Sequence, residues 1–143
     1  MLDQDRQTEL RSAIESLYFA YRGFTDRPDR ILERRGLGRV HHRILYFIGR
    51  WPDVSVKGLL DLLAVSKQAL NAPLRQLLEM HLVTAVPCAE DRRMKNLRLT
   101  PEGGRLEAEL TGAQMRHLQA AFDRVGPESE QGWRAVMAEL AAN

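Results

Sequence analysis

The stretch Val65 to Val83, V-S-K-Q-A-L-N-A-P-L-R-Q-L-L-E-M-H-L-V, constrains the fold more than any other part of the chain. Ser66 has the chemistry of a helix N-cap, because its hydroxyl oxygen can accept a bond from a free N–H of the first turn. Leu70, Leu74, Leu77 and Leu78 recur at helical spacing and form an apolar stripe. The opposite face carries Lys67, Gln68, Asn71, Ala72 and Arg75, including side chains that can reach base edges and phosphates. Just upstream, Val56, Leu59, Leu60 and Leu63 form a second amphipathic unit with Ser55 as its cap. Two short helices joined by a tight turn at Ala64-Val65 read as a helix-turn-helix, with the second helix as the reader. Taken alone, the pattern also fits any pair of packed helices in a small helical domain.

The residues that follow favour the first reading. Val83-Thr-Ala-Val-Pro-Cys88 is a short extended run, Ala89-Glu-Asp-Arg-Arg-Met94 is polar and charged, and Lys95-Asn-Leu-Arg-Leu-Thr100 alternates. Leu97 and Leu99 fall on one strand face, Asn96 and Arg98 on the other. This predicts a hairpin with a basic tip beside the reading helix. Asp91-Arg-Arg followed by Leu99-Thr-Pro-Glu-Gly103 resembles the wing signature of the MarR family of bacterial transcription regulators, D-x-R and then L-T-x-x-G. The resemblance extends back over Val65–Asn71 and Leu77–Val83 and covers residues 37 to 104 closely, with the flanking helices similar in pattern only. It implies a mainly α fold with a small β-hairpin wing. The expected single domain, 1–143, has a winged helix-turn-helix DNA-binding lobe over 37–100 and dimerisation helices over 1–36 and 101–143.

In the major groove, Gln68 and Asn71 could read adenine bidentately, and Arg75 could read guanine or clamp a phosphate. Lys67 and the Ser66 hydroxyl are phosphate candidates. The resemblance implies that Asp91 braces the wing tip through an ion pair with Arg93, and that an arginine enters the minor groove. Narrow A·T-rich grooves attract arginine, and the sequence leaves open whether Arg92 or Arg93 enters. Lys95 and Arg98 are candidates for phosphate contacts. Two departures from the family pattern stand out. Pro73 lies inside the reading helix with no N–H for the Ala69 carbonyl, so the helix either kinks or absorbs the loss by packing. His81 stands where the family often has glycine, and a left-handed residue there costs about 1–2 kcal/mol, so the turn is expected to differ.

Charge is unevenly distributed. Lys and Arg against Asp and Glu number 3 and 5 over residues 1–26, 14 and 7 over 27–100, and 4 and 7 over 101–143. A basic centre between acidic ends suits one DNA-binding lobe and a separate lobe with another task. No apolar run approaches the roughly 20 residues of a membrane span. The acidic start Met1-Leu-Asp-Gln-Asp5 lacks the apolar core of a signal peptide. The single Cys88 excludes an internal disulfide and fits a reducing compartment. A cytoplasmic location is expected.

Outside the lobe, Leu10, Ile14, Leu17, Tyr21 and Phe24 predict a first helix over about 3–24, ended by Gly23, Asp26 and Pro28. A short second helix over Pro28–Arg35 and a third over Arg39–Arg50 follow. Thr100-Pro101, a capping hydroxyl and a first-turn proline, opens a helix to about Val125. It would be about 35 Å long, more than a small winged core needs. Gly126-Pro127 breaks it, and a last helix over 128–141 puts Trp133, Val136, Met137 and Leu140 on one side. These apolar faces lack an obvious partner within one chain. Burial against a second copy is the simplest solution, and the MarR resemblance implies a homodimer held by the terminal helices. A monomeric helical cap is the alternative.

MarR-like regulators often bind small aromatic acids in a cleft between the dimer helices and the winged lobe. Tyr18, Tyr21, Arg22, Arg39, His41, His42 and Arg43 could line such a cleft and hold a small aromatic or phenolic acid, aromatic walls with a cation suiting a carboxylate. Ordinary boundary packing explains the same residues. His41 and His42 point about 100° apart on a helix, so metal sensing would need remote partners such as His117, and neither a metal nor a cofactor is expected. Cys88 reads as a small strand residue rather than a redox sensor. No nucleophile–base pair, metal-ligand spacing or phosphate loop points to an enzyme. The expectation is a sequence-specific homodimeric repressor on a near-palindromic site in double-stranded DNA, released by a small ligand. The alternative is a winged-helix module that binds another protein.

Overall fold

The computed structural model describes residues 1–142 and is mainly helical, with a small antiparallel sheet. In chain order the elements are α1 (Gln4–Glu33), α2 (Arg39–Arg50), β1 (Val54–Ser55), α3 (Val56–Leu63), α4 (Lys67–Glu79), β2 (Val83–Pro87), β3 (Lys95–Leu99), α5 (Pro101–Val125) and α6 (Pro127–Ala141). The core is formed where α2, α3, α4 and the sheet meet the end of α1 and the first half of α5. Leu32, Ile44, Leu45, Ile48, Leu59, Leu70, Leu77, Leu82, Leu97, Leu106 and Leu110 are each no more than 2% exposed. Fully burying one such side chain contributes about 1.5–3 kcal/mol.

Sequence and structure part company at the first helix. The expected break at residues 24–28 does not occur, and α1 runs unbroken for 30 residues with Pro28 inside it. Pro28 leaves one carbonyl without its usual partner, but its ring is buried, so packing offsets the missing bond. One turn earlier the Thr25 hydroxyl donates to the Tyr21 carbonyl at 2.9 Å. The helix ends instead at Glu33, and Gly36, with φ of 71°, makes the turn that closes it. There the Leu37 N–H bonds to the Leu32 carbonyl and the Gly36 N–H to the Glu33 carbonyl, the paired closure of a Schellman turn.

The end of α4 repeats that closure. Leu82 N–H bonds to the Leu77 carbonyl at 3.0 Å and His81 N–H to the Leu78 carbonyl at 3.1 Å. His81 takes the left-handed conformation itself, with φ of 57°. The turn therefore does not differ from the glycine pattern. The cost of a side chain in that region, about 1–2 kcal/mol, is offset by burial of Leu77 and Leu82 on either side of the turn.

The wing is also larger than a hairpin. β1 adds a third strand, giving the order β1-β3-β2, with Val54 opposite Leu97 and Ala85 opposite Leu97 on the other edge. Pro52 and Asp53 turn the chain to place it there, and Asp53 N–H bonds to the Leu97 carbonyl at 3.1 Å. A two-residue strand bounded by a turn and a helix has too little alternation to be read from sequence.

The Leu-Thr-x-x-Gly signature acquires a physical reason. The Thr100 hydroxyl accepts the Gly103 N–H at 3.0 Å, capping α5, and donates to the His81 carbonyl at 2.6 Å. A Cβ on Gly103 would lie 1.8 Å from the Leu82 carbonyl oxygen. The start of α5 is therefore pressed against the end of α4, and backbone contact leaves no space for any side chain at 103.

Candidate nucleic-acid interface

Ser55 and Ser66 cap the two helices as expected, accepting the Gly58 and Ala69 N–H groups at 2.9 and 3.1 Å. Ala64 makes the turn between them in the left-handed region, φ 53°. α4 then buries Leu70, Leu74 and Leu77 and leaves Lys67, Gln68, Asn71, Ala72 and Arg75 exposed. Pro73 lies within the continuous helix and is half-buried. The four N-terminal N–H groups of a helix and its dipole favour an anion, and Ser66 and Lys67 stand at that end of α4. The Ser66 oxygen is engaged as the cap acceptor, which leaves its hydrogen free to donate.

The loop from Cys88 to Met94 closes β2 onto β3, with Cys88 N–H bonding to the Met94 carbonyl at 2.9 Å. Within it Asp91 accepts the Arg93 backbone N–H at 3.0 Å and lies 3.6 Å from the Arg93 Nε. The Arg93 side chain is still 94% exposed. Asp91 thus shapes the turn that projects Arg93, and the exposed pair itself contributes little stability. Arg92 and Lys95 are exposed and make no ion pair among the described residues. Arg98 behaves differently from expectation. It pairs with Asp53 beside β1, and that hydrogen bond holds its guanidinium more firmly charged than usual. It braces the sheet rather than standing free for a phosphate.

Of the residues expected at a ligand cleft, the structure brings Tyr21, Arg39, His42 and Arg43 to one cavity of about 350 Å³ between α1, α2 and α5. Tyr18, Arg22 and His41 do not line it. Tyr18 is 59% exposed on α1 with the Arg22 guanidinium 5.8 Å from its ring centre. His41 turns toward α4 instead, as two successive residues on a helix must point apart. Sequence reading missed Asp29 and the α5 face Thr111, Gln114, Met115 and Leu118. The α5 set recurs at helical spacing and was readable as a face, whereas its meeting with α1 and α2 was not.

Inside the cavity Arg39 is paired with Asp29, Nε to carboxylate oxygens at 3.0 and 3.2 Å, which stabilises its charged form. Arg43 donates to the Tyr21 hydroxyl at 2.9 Å and has no acidic partner among the described residues. His42 contacts the Thr111 hydroxyl through Nε2 at 3.2 Å, and that hydroxyl bonds to Glu107. Burial pushes His42 below the ordinary histidine value, opposed by Asp29 and reinforced by Arg43.

A capped helix-turn-helix beside a three-stranded wing defines the winged helix-turn-helix class. A profile of the MarR family matches residues 35–94. The HTH-type transcriptional regulator PetP of Rhodobacter capsulatus is 44% identical over 129 residues, which span 90% of this chain and 78% of PetP. The chain belongs to the MarR family of transcription regulators, and it is a regulator rather than an enzyme. Two solved structures share the fold. Staphylococcus aureus MarR in complex with salicylate and kanamycin has a TM-score of 0.75 at 24% identity, over 96% of this chain and 93% of that one. An S. aureus MepR–DNA complex has a TM-score of 0.74 at 16% identity, over 88% and 91%. No helix among the described residues is long and apolar enough to cross a membrane.

Proposed function

We propose that this protein is a homodimeric, sequence-specific DNA-binding repressor that a small aromatic or phenolic acid releases from its operator. The observation that carries the reading is the exposed set Gln68, Asn71 and Arg75 on α4, with Arg92 and Arg93 projecting from the adjacent wing. α4 supplies hydrogen-bonding groups for base edges, and the wing supplies cations for backbone and minor groove. The MepR–DNA complex, a protein of the same fold bound to DNA, supports the DNA-binding reading.

Pairing is supported by the terminal helices. Ile14, Leu17, Tyr18 and Phe19 on α1, and Val136 and Leu140 on α6, are 52–67% exposed in the single chain. Large apolar side chains left this exposed along two helices suit burial against a second copy. A two-fold dimer carries two readers, so the operator is near-palindromic, with half-site centres about 34–36 Å apart. In the cleft Arg43 is the cation available to a carboxylate, and Tyr21, Phe24 and Phe47 supply aromatic walls. The salicylate complex of a related fold is consistent with such a ligand.

Selection from a random duplex pool tests the reading. Recovery of a near-palindromic consensus, with binding weakened by salicylate or a related phenolic acid, is the expected result. Recovery of no consensus would favour a protein-binding winged helix instead.

A further inference from the structure

α4 is held to the rest of the lobe by more than its leucine stripe. Gly38, the N-cap residue of α2, donates its N–H to His41 Nδ1 at 2.9 Å. An acceptor at Nδ1 places the ring proton on Nε2. His41 Nε2 therefore donates to Gln76 Oε1, at 2.9 Å. The amide nitrogen of Gln76 then donates to the Gly36 carbonyl at 3.3 Å. The bonds form a closed circuit from the junction between α1 and α2 to the reading helix and back. His41 is buried and Gln76 half-buried, so water competes poorly for the two His41 bonds, while the Gln76–Gly36 bond is exposed.

The place of the circuit gives it consequence. Gln76 sits one turn beyond Pro73, on the half of α4 that carries Arg75. Pro73 removes the bond that would have tied the two halves of the helix at the Ala69 carbonyl. The orientation of the C-terminal half accordingly depends on what holds it from outside. The same junction is bonded on its other side, where Arg39, next to Gly38, pairs with Asp29 in the cleft. Gly36 at φ 71° is the turn between the two attachments.

We propose that His41 and Gln76 are positioning residues that latch the reading helix to the α1–α2 junction, so that a shift of the Arg39–Asp29 pair in the cleft is carried to α4. This rests on the DNA-binding reading given above. Neither residue needs to touch DNA. Each acts on sequence discrimination by fixing the angle at which α4 presents Asn71 and Arg75.

Fluorescence anisotropy of the full chain on a selected and a scrambled duplex, with melting temperature measured alongside, tests the latch. Gln76→Leu removes both bonds and should lower the ratio of selected to scrambled affinity roughly 3- to 30-fold, with scrambled binding nearly unchanged. His41→Gln separates capping from latching, because a glutamine at this position can still accept the Gly38 N–H while giving up the bond to Gln76. It should reproduce the loss of discrimination with a melting temperature close to the parent's. A double-mutant cycle with Asp29→Asn should be non-additive, the double variant falling no further than the worse single one. A parent that discriminates while Gln76→Leu and His41→Gln discriminate equally well overturns the latch alone. So does a cycle in which the losses simply multiply. A parent that binds both duplexes alike overturns the DNA-reading proposal and the latch with it.

Discussion

The winged lobe and the terminal helices use similar apolar residues to opposite ends. In the lobe, a leucine stripe on each short helix finds partners within the same chain, and the core closes. In α6 no residue is buried, and the apolar residues in the first half of α1 stay largely in water. The terminal helices segregate apolar from polar residues less sharply than the lobe helices do, yet their apolar residues recur at the same helical spacing. A second difference is the number of surfaces that converge. α2, which carries Leu45, packs against α1, α3, α4, α5 and β3, whereas the substantial packing of α6 is on α5. An amphipathic helix is thus a statement that a partner exists, and only the count of remaining surfaces says whether that partner lies in the same chain.

The sharpest way to probe this contrast is to alter a residue on each side of it. Gly103→Ala should be the most destructive single change, because its Cβ meets the Leu82 backbone rather than a movable side chain. A loss of about 3 kcal/mol or more is expected by analogy with overpacked cores, read by urea unfolding. Leu45→Ala, in the closed core, should cost about 2–5 kcal/mol. Leu140→Ala, 57% exposed in one chain, should barely change the stability of a monomer. It should instead weaken self-association, seen as a shift in mass by light scattering at micromolar concentration. A parent that is a monodisperse monomer there would erase the assigned role of the terminal helices.

Smaller effects separate the two contributors to binding. Lys95→Ala should weaken selected and scrambled duplexes alike and reduce the salt slope by about one unit for each phosphate it no longer neutralises. Arg93→Ala should matter more for A·T-rich than G·C-rich flanks. Asp91→Ala should produce a fraction of that effect, since Arg93 loses its brace and keeps its charge.

The smallest expected change concerns acidity. Burial holds His42 below its ordinary value of 6.5, so the unfolded chain binds the proton more readily than the folded one. The neutral, folded form is fully favoured above that value. Stability should decline as pH falls through 6.5 toward the lower folded value. His42→Gln should flatten this part of the unfolding profile, and a profile with the parent's slope would remove His42 as its source.

Much of the lobe was legible because its signals are local. A serine or threonine before an apolar stripe is a local capping signal, and Ser55, Ser66 and Thr100 each cap a helix. The basic hairpin tip and the stop at Gly126-Pro127 were legible for the same reason. What escaped was settled by contacts distant in sequence. Pro28 looked like a helix boundary because local chemistry disfavours it, and burial overrode that preference. Asp53 claimed Arg98 from 45 positions away, and Gln76 met His41 across 35. No spacing rule announces either. The cleft was half legible. Tyr21, Arg39, His42 and Arg43 share it, but the α5 wall opposite them entered only with the fold.

The most direct test is anisotropy of Asn71→Ala and Arg75→Ala on the selected duplex and its scrambled counterpart. Each should lose about 1–3 kcal/mol per half-site on the selected duplex and much less on the scrambled one. Variants that bind both duplexes as the parent does would show that the face of α4 carrying Asn71 and Arg75 does not read DNA.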